Sequence, residues 1–281
     1  MDKEKYIKYA KKTFKRQTRK LVLNQIELFS KNDIIIDKNK YAKGEKVCLK
    51  KGTFLHGIPG DIENFDFVLN NGFVSTNFTG ENNKHKIFNS IGFWNIKEDM
   101  YLKDYINLYS GFTITYTIGR GPGSTPISDL IPYHKFDSYT EKISNDENIW
   151  IYYGEQTKEV RFLPSLVADK VQIAFILNME SDYAKELIKA DVWDPTLDKK
   201  IVKSFIHSSY YSKFLKERNN RNASTTDRES AIMFGLPSNL IEGIFVGRKI
   251  EQDKEKLDYI KSKLPDCYIC NLDGKVIMGN K

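Results

Sequence analysis

Three cysteines, Cys48, Cys267 and Cys270, are all that the 281 residues contain. So low and odd a count excludes a disulfide scaffold and fits a reducing compartment. Cys267 and Cys270 have CxxC spacing, yet a zinc site needs two more ligands and no second pair stands at a matching distance. Their flanks read as strand, so both are expected to be partly buried there. His85, His134 and His207 lie too far apart to suggest a metal site, and no metal is expected. No apolar run reaches membrane-spanning length, so no transmembrane segment is expected. The N-terminus is charged with no apolar stretch behind it, which gives no sign of a signal peptide. The expected setting is the cytoplasm, or delivery into another cell without a classical signal peptide. The chain lacks the Gly-x-Ser-x-Gly elbow of serine hydrolases. It also lacks the glycine fingerprint of the doubly wound dinucleotide fold, so any dinucleotide would need a different fold. Gly119-Arg-Gly-Pro-Gly-Ser-Thr125 lacks the Gly-Lys-Ser/Thr ending of a P-loop. Its amides and Arg120 suit a phosphate, and a plain surface loop suits the same residues.

What the chain does have is enough apolar material for a sizeable core: 40% hydrophobic residues, 13% of all residues being aromatic. The net charge is +7 and the isoelectric point about 9.0. That permits an acidic partner, such as nucleic acid, an anionic membrane surface or a phosphate-bearing ligand. Abundant Lys, Asn and Ile also follow from an AT-rich genome, and the charge alone does not choose between these.

Residues 1–44 form an N-terminal helical segment. Tyr6, Ala10, Phe14, Leu21, Leu23, Ile26 and Leu28 roughly follow a helical stripe over 2–30, with nine Lys or Arg in the first twenty residues. Two readings stand for it: a helix packed on the domain with a solvated basic side, or an arm for nucleic acid or membrane. Strands are expected at 47–49, 53–56, 73–76, 112–118, 148–153, 159–163, 171–178, 240–247 and 267–270. Helices are expected at 62–69, 98–110, 180–190, 198–217 and 251–264, with polar loops at 79–86 and 218–229. Runs of strand and helix in this order give an α+β chain, with a mostly antiparallel sheet flanked by helices. Residues 181–281 read as a C-terminal α/β part continuous with what precedes it.

The chemistry-bearing stretch is Tyr152-Tyr153-Gly154-Glu155-Gln156-Thr157-Lys158-Glu159, followed by Val160-Arg161-Phe162-Leu163-Pro164. A glycine loop with two carboxylates enters an apolar strand, which places Glu159 at a strand edge. A carboxylate fixed there suits a developing oxocarbenium charge. A Glu paired with Arg161 or a lysine fits the same segment. Upstream, Gly72-Phe73-Val74-Ser75-Thr76 offers hydroxyls able to orient a carboxylate, or an ordinary strand with a Ser-Thr turn. Phe54-Leu55-His56-Gly57 closes another strand. Tyr152, Tyr153 and Phe73 have flat rings that suit a flat heterocycle or a core.

These three segments, in this order, resemble the scattered signature of ADP-ribosyltransferases over residues 45–180. The resemblance implies a split antiparallel α+β fold that binds NAD in a cleft between the sheet halves and needs no metal. It implies transfer of ADP-ribose to an acceptor, protein or nucleic acid, with nicotinamide leaving. In it Glu159 is the catalytic carboxylate and Ser75 braces it. His56 and Gly57 hold NAD, with Phe73, Thr76, Tyr152 and Tyr153 as further NAD-binding residues. Glu155, Gln156 and Thr157 lie in the loop that meets the acceptor. The sequence departs from the family at Thr157, where Gln or Glu is usual, and at Asn77, where a second Ser is usual. It also joins the His of one branch to the Ser-Thr of the other. An NAD glycohydrolase on the same fold, or a basic nucleic-acid-binding module without enzymatic activity, fits the same sequence.

Overall fold

Tyr6, Ala10 and Phe14 recur at helical spacing, and all three are buried. They define the inner face of α1 (Lys3–Thr13), whose N-terminus is capped by the Asp2 side chain accepting from Lys5 N at 3.0 Å. In the computed structural model the described residues are 2–31, 34–58, 62–75, 90–104, 149–153, 158–162, 173–206, 211–220 and 229–280. After α1 come α2 (Arg16–Phe29), β1 (Cys48–Leu49), β2 (Phe54–Ile58), α3 (Ile62–Asn71) and β3 (Phe73–Val74). Then follow β4 (Ser90–Asn95), β5 (Met100–Tyr101), β6 (Ile149–Tyr153), β7 (Lys158–Phe162) and β8 (Ile173–Leu177). Next are α4 (Asp182–Ile188), α5 (Lys199–Phe205), α6 (Tyr211–Asn220), β9 (Glu229–Met233) and β10 (Gly235–Leu236). A single 3₁₀ turn (Ser238–Leu240) leads into β11 (Ile241–Val246), α7 (Arg248–Glu251), α8 (Lys254–Lys263), β12 (Tyr268–Cys270) and β13 (Val276–Met278). The chain is α+β, as its sequence pattern requires. Among the described residues the one parallel pairing within its two units is β11 with β12.

The chain divides into two units, each gathered from three stretches. Unit 1 holds Met1–Asp37, Asp66–Asn95 and Asn178–Leu240; unit 2 holds Lys38–Phe65, Ile96–Leu177 and Ile241–Lys281.

Unit 1 is built on aromatic packing. Phe234 is fully buried and meets Tyr6 edge-on at 5.2 Å and Phe29 edge-on at 4.9 Å. Phe14 stacks on Phe205 at 4.8 Å. Val22, Ile26, Val202 and Met233 fill the same core. The N-terminal segment is therefore packed, as two helices broken after Phe14, and its lysines lie on the solvated side. Strands β4 and β9 pair antiparallel, as do β3 and β10. The chain passes from β9 to β10 through Phe234, whose φ is 66°. A bulky residue rarely tolerates that conformation, and the two ring contacts hold it there.

Unit 2 contains the strand run β13-β12-β11-β8-β2. Every residue of β2, β8 and β11 is buried. Strands covered on both faces read as continuous apolar runs, which is why 171–178 and 240–247 are visible in the sequence. Phe65 lies flat against Phe175 at 6.0 Å and meets Tyr259 edge-on at 6.4 Å. Cys267 and Cys270 are free and buried in β12 and the residue before it. Their thiols point at carbonyls, Cys267 Sγ to Ile241 O at 3.3 Å and Cys270 Sγ to Ile244 O at 3.4 Å.

Burial raises both thiols above their usual 9.0, while Lys38 partly opposes the rise at Cys267. Burial, then the Glu242 charge, raises the Tyr268 phenol well above 10.0. Each of these groups is harder to ionise folded than unfolded. The stability they add is complete below the unfolded-state value and is lost as pH rises through the folded one. The urea midpoint is therefore expected to fall from pH 9.0 upward, with a shallower fall in Cys270→Ala. A midpoint flat across that range would contradict this.

Some expected elements took another form. Residues 100–101 form β5, paired with β1, so the helix expected over 98–110 starts later: 102–104 are helical and 105–110 lie outside the described residues. Arg218 was expected in a polar loop, but α6 continues to Asn220 and Arg218 is buried, donating to the carbonyls of Asp194 and Leu197. The expected strand 112–118, the Arg120 loop and the polar loop 79–86 lie outside the described residues.

Candidate functional site

Residues 149–153 and 158–162 are β-branched and aromatic enough to extend, and they pair as an antiparallel hairpin. The register sets Tyr152 opposite Glu159 and Tyr153 opposite Lys158. Glu159 is thus the second residue of β7, within a strand and next to the loop, where the sequence led one to look. Residues 154–157, with Glu155, Gln156 and Thr157 among them, lie outside the described residues.

His56 and Gly57 belong to unit 2. They sit inside β2, opposite Phe175 and Ala174. The strand does not close at Gly57 but runs on to Ile58, and His56 is 5% exposed. The pairing with β8 extends past the glycine because Gly57 keeps ordinary strand geometry.

Phe73 and Ser75 belong to unit 1. Phe73 is 1% exposed and meets Phe93 edge-on at 5.8 Å, so its ring is part of the core of that unit. Ser75 follows β3 directly. Its amide donates to Phe234 O at 3.0 Å, which ties it to the left-handed residue between β9 and β10. The Ser75 hydroxyl is buried, 3% of the residue being exposed, and it has no hydrogen-bond partner among the described residues. Buried hydroxyls are usually satisfied, and one that is not calls for an explanation. Thr76 lies outside the described residues.

The sequence reading missed Glu242. It lies in β11, where the register against β8 slips between Ile241 and Gly243. Such a bulge re-aims a side chain. Glu242 is 3% exposed, yet its carboxylate is held: Asn39 Nδ2 donates to Oε2 at 3.1 Å and the Asn39 amide at 3.4 Å. The Tyr268 hydroxyl reaches Oε1 at 3.5 Å. Tyr268 can lie this close because Gly243 has no side chain; a Cβ there would stand 2.3 Å from the ring. Tyr41 packs edge-on against Tyr268 at 4.7 Å, and its hydroxyl donates to Cys48 O at 3.2 Å. The cluster pins residues 39–48 onto β11 and β12. As placed, Glu242 is a clamp for that segment, since its oxygens are already engaged. The signal in the sequence was an acid interrupting the apolar run from Leu240 to Val246.

Among the described residues, no group of three or more His, Cys, Asp or Glu is arranged to hold a metal ion. None of their helices is long and apolar enough to cross a membrane. Comparison with protein-family models, with curated proteins and with solved structures finds no match.

Proposed function

We propose that the chain cleaves the nicotinamide–ribose bond of NAD and transfers ADP-ribose to an acceptor. The observation that carries the reading is the β6–β7 register, with Glu159 one residue inside the strand that follows the glycine loop. In the reaction the C1′–N bond breaks, its electron pair leaves with nicotinamide, and positive charge develops on the ribose. The Glu159 carboxylate stabilises that charge more than it stabilises bound NAD, which is the condition for acceleration. The acceptor attacks C1′ and loses its proton. His56 and Gly57 take the amide and ribose of NAD, and the Tyr152 and Tyr153 rings take the nicotinamide. Residues 155–157 meet the acceptor, a protein or nucleic-acid nucleophile.

The test is to incubate the purified chain with NAD labelled separately in nicotinamide and in adenine. Free nicotinamide together with adenine label on a macromolecule supports transfer. Nicotinamide with free ADP-ribose makes water the acceptor and the chain a glycohydrolase. No nicotinamide above the uncatalysed rate, with candidate protein and nucleic-acid acceptors supplied, removes the proposal.

A further inference from the structure

The positive charge of this chain is local. Residues 5–20 hold eight of its 44 Lys and Arg and none of its 37 Asp and Glu, leaving 36 basic and 37 acidic residues elsewhere. The excess of +7 thus comes from one stretch, the C-terminal three-quarters of α1 and the start of α2. Lys5, Lys8, Lys11, Lys12, Lys15, Arg16 and Lys20 are all exposed. Lys5, Lys8 and Lys12 follow i, i+3, i+7 spacing and share one face of α1; Arg16 and Lys20 share one face of α2. Elsewhere some lysines are paired, Lys50 with Asp99 at 3.0 Å, Lys103 with Asp273 at 2.8 Å and Lys256 with Asp253 at 3.3 Å. Lys3, just before the acid-free stretch, pairs with Glu27 at 2.7 Å. From Lys8 to Lys20, among the described residues, the exposed cations have no such partner: Lys8, Lys11, Lys12, Lys15, Arg16 and Lys20 form no ion pair.

We propose that this face of α1 and α2 docks on the phosphate backbone of duplex DNA, without reading sequence. Three features choose that partner. First, the charge is rigidly held: Tyr6, Ala10 and Phe14, with Val22, Ile26 and Phe29, anchor both helices in the core of unit 1. Second, the charge is dense: eight cations and no acid fall within the sixteen residues 5–20, and phosphate contacts of this kind supply sequence-independent DNA affinity. Third, the face lacks features that strengthen binding to other polyanions. Amphipathic helices hold an anionic membrane most firmly by inserting an apolar side, and here that side is committed to the core. A single strand is bound by exposed aromatic platforms, and the aromatics of α1 are buried or, at Tyr9, half-buried against Phe14 at 6.4 Å. The proposal is independent of NAD cleavage and stands or falls by binding alone.

Deleting the helices would remove core residues, so the test changes charge only. Lys8, Lys12 and Lys20 are replaced together by Gln, which has nearly the helix propensity of Lys. Binding to a fluorescent DNA duplex of arbitrary sequence is followed by anisotropy across a salt series, with melting temperature measured in parallel. The wild type is expected to bind at low salt with equal affinity for unrelated sequences. The triple variant is expected to keep its melting temperature and to lose about three from the slope of log K against log salt, close to one for each phosphate contact removed. The proposal is overturned if the wild type does not bind at low salt, or if the slope is unchanged in the variant. Preference for single strands overturns it too, as does binding to phosphatidylserine vesicles without binding to the duplex.

Discussion

Glu159→Gln will keep the fold and lose nicotinamide release by about a hundredfold to a thousandfold. Removing one preorganised electrostatic group from a site of developing charge has an effect of that order. The substitution keeps the shape of the side chain and deletes its charge, and the β6–β7 ladder that positions residue 159 is made by main-chain pairing. The melting temperature should therefore stay where it was. Steady-state nicotinamide release and thermal unfolding on the same preparations test both halves. A variant as active as the wild type would remove Glu159 from the reaction even if NAD cleavage itself is found. Loss of activity with loss of fold would give the residue a structural role instead.

Gly235→Ala is the expected opposite: an effect wholly on stability. Gly235 has a φ of 147° and pairs with Val74. A Cβ at this position would stand 1.8 Å from the Phe73 carbonyl oxygen and 2.8 Å from its carbon. Both obstacles are main chain, so no rotamer change relieves them, and the conformation itself is one that residues with a side chain avoid. Relief requires separating β10 from β3, which would also free Ser75 from Phe234. A loss of more than about 3 kcal/mol is expected, in the range reserved for strain at special backbone positions. Gly243→Ala is a useful contrast. There the obstacle is the Tyr268 ring, a side chain that can shift, and a loss of about 1–3 kcal/mol follows from overpacking. Urea midpoints with unchanged slopes would rank the two. Equal stability of Gly235→Ala and the wild type would contradict the geometry.

The sequence was legible where burial leaves a periodic or continuous apolar pattern. Strands β8 and β11 and helix α4 fall within a few residues of their expected places, and the helix expected over 2–30 is present as two, α1 and α2. It was also legible near stops: the helix expected over 62–69 runs two residues further, to Asn71, and ends at Gly72, with φ of 74° at that glycine and its amide bonded to Val68 O at 2.7 Å. The helix expected over 251–264 is α8, starting three residues later, because the Asp253 side chain caps its N-terminus by accepting from Lys256 N at 3.1 Å. Strands β4 and β9 were not seen. Each is short, each carries small or polar residues, and each is extended because it pairs with the other more than a hundred positions away. Local pattern carries no record of such a partner. Of the candidate site, the loop and strand around Glu159 were legible because glycine and apolar residues mark them. Glu242 was passed over because a strand reading counts its neighbours and not the cost of burying its charge. Arg218 was read as loop for the converse reason: polarity was equated with exposure, although its guanidinium ends on two carbonyls.

The interleaving of the two units governs how the chain is made. α1 and α2 emerge from the ribosome well before the partner that their Tyr6 and Phe29 rings meet, Phe234. At about 5–20 residues per second, the helices wait on the order of 10–40 s for it. Likewise β2 cannot find β8 until residue 177 has been added, nor β11 its parallel neighbour β12 until residue 270. Neither unit can therefore close behind the growing chain as a beads-on-a-string protein would. Over that interval the nascent polypeptide carries the faces of α1 and α2 that meet Phe234 without that partner.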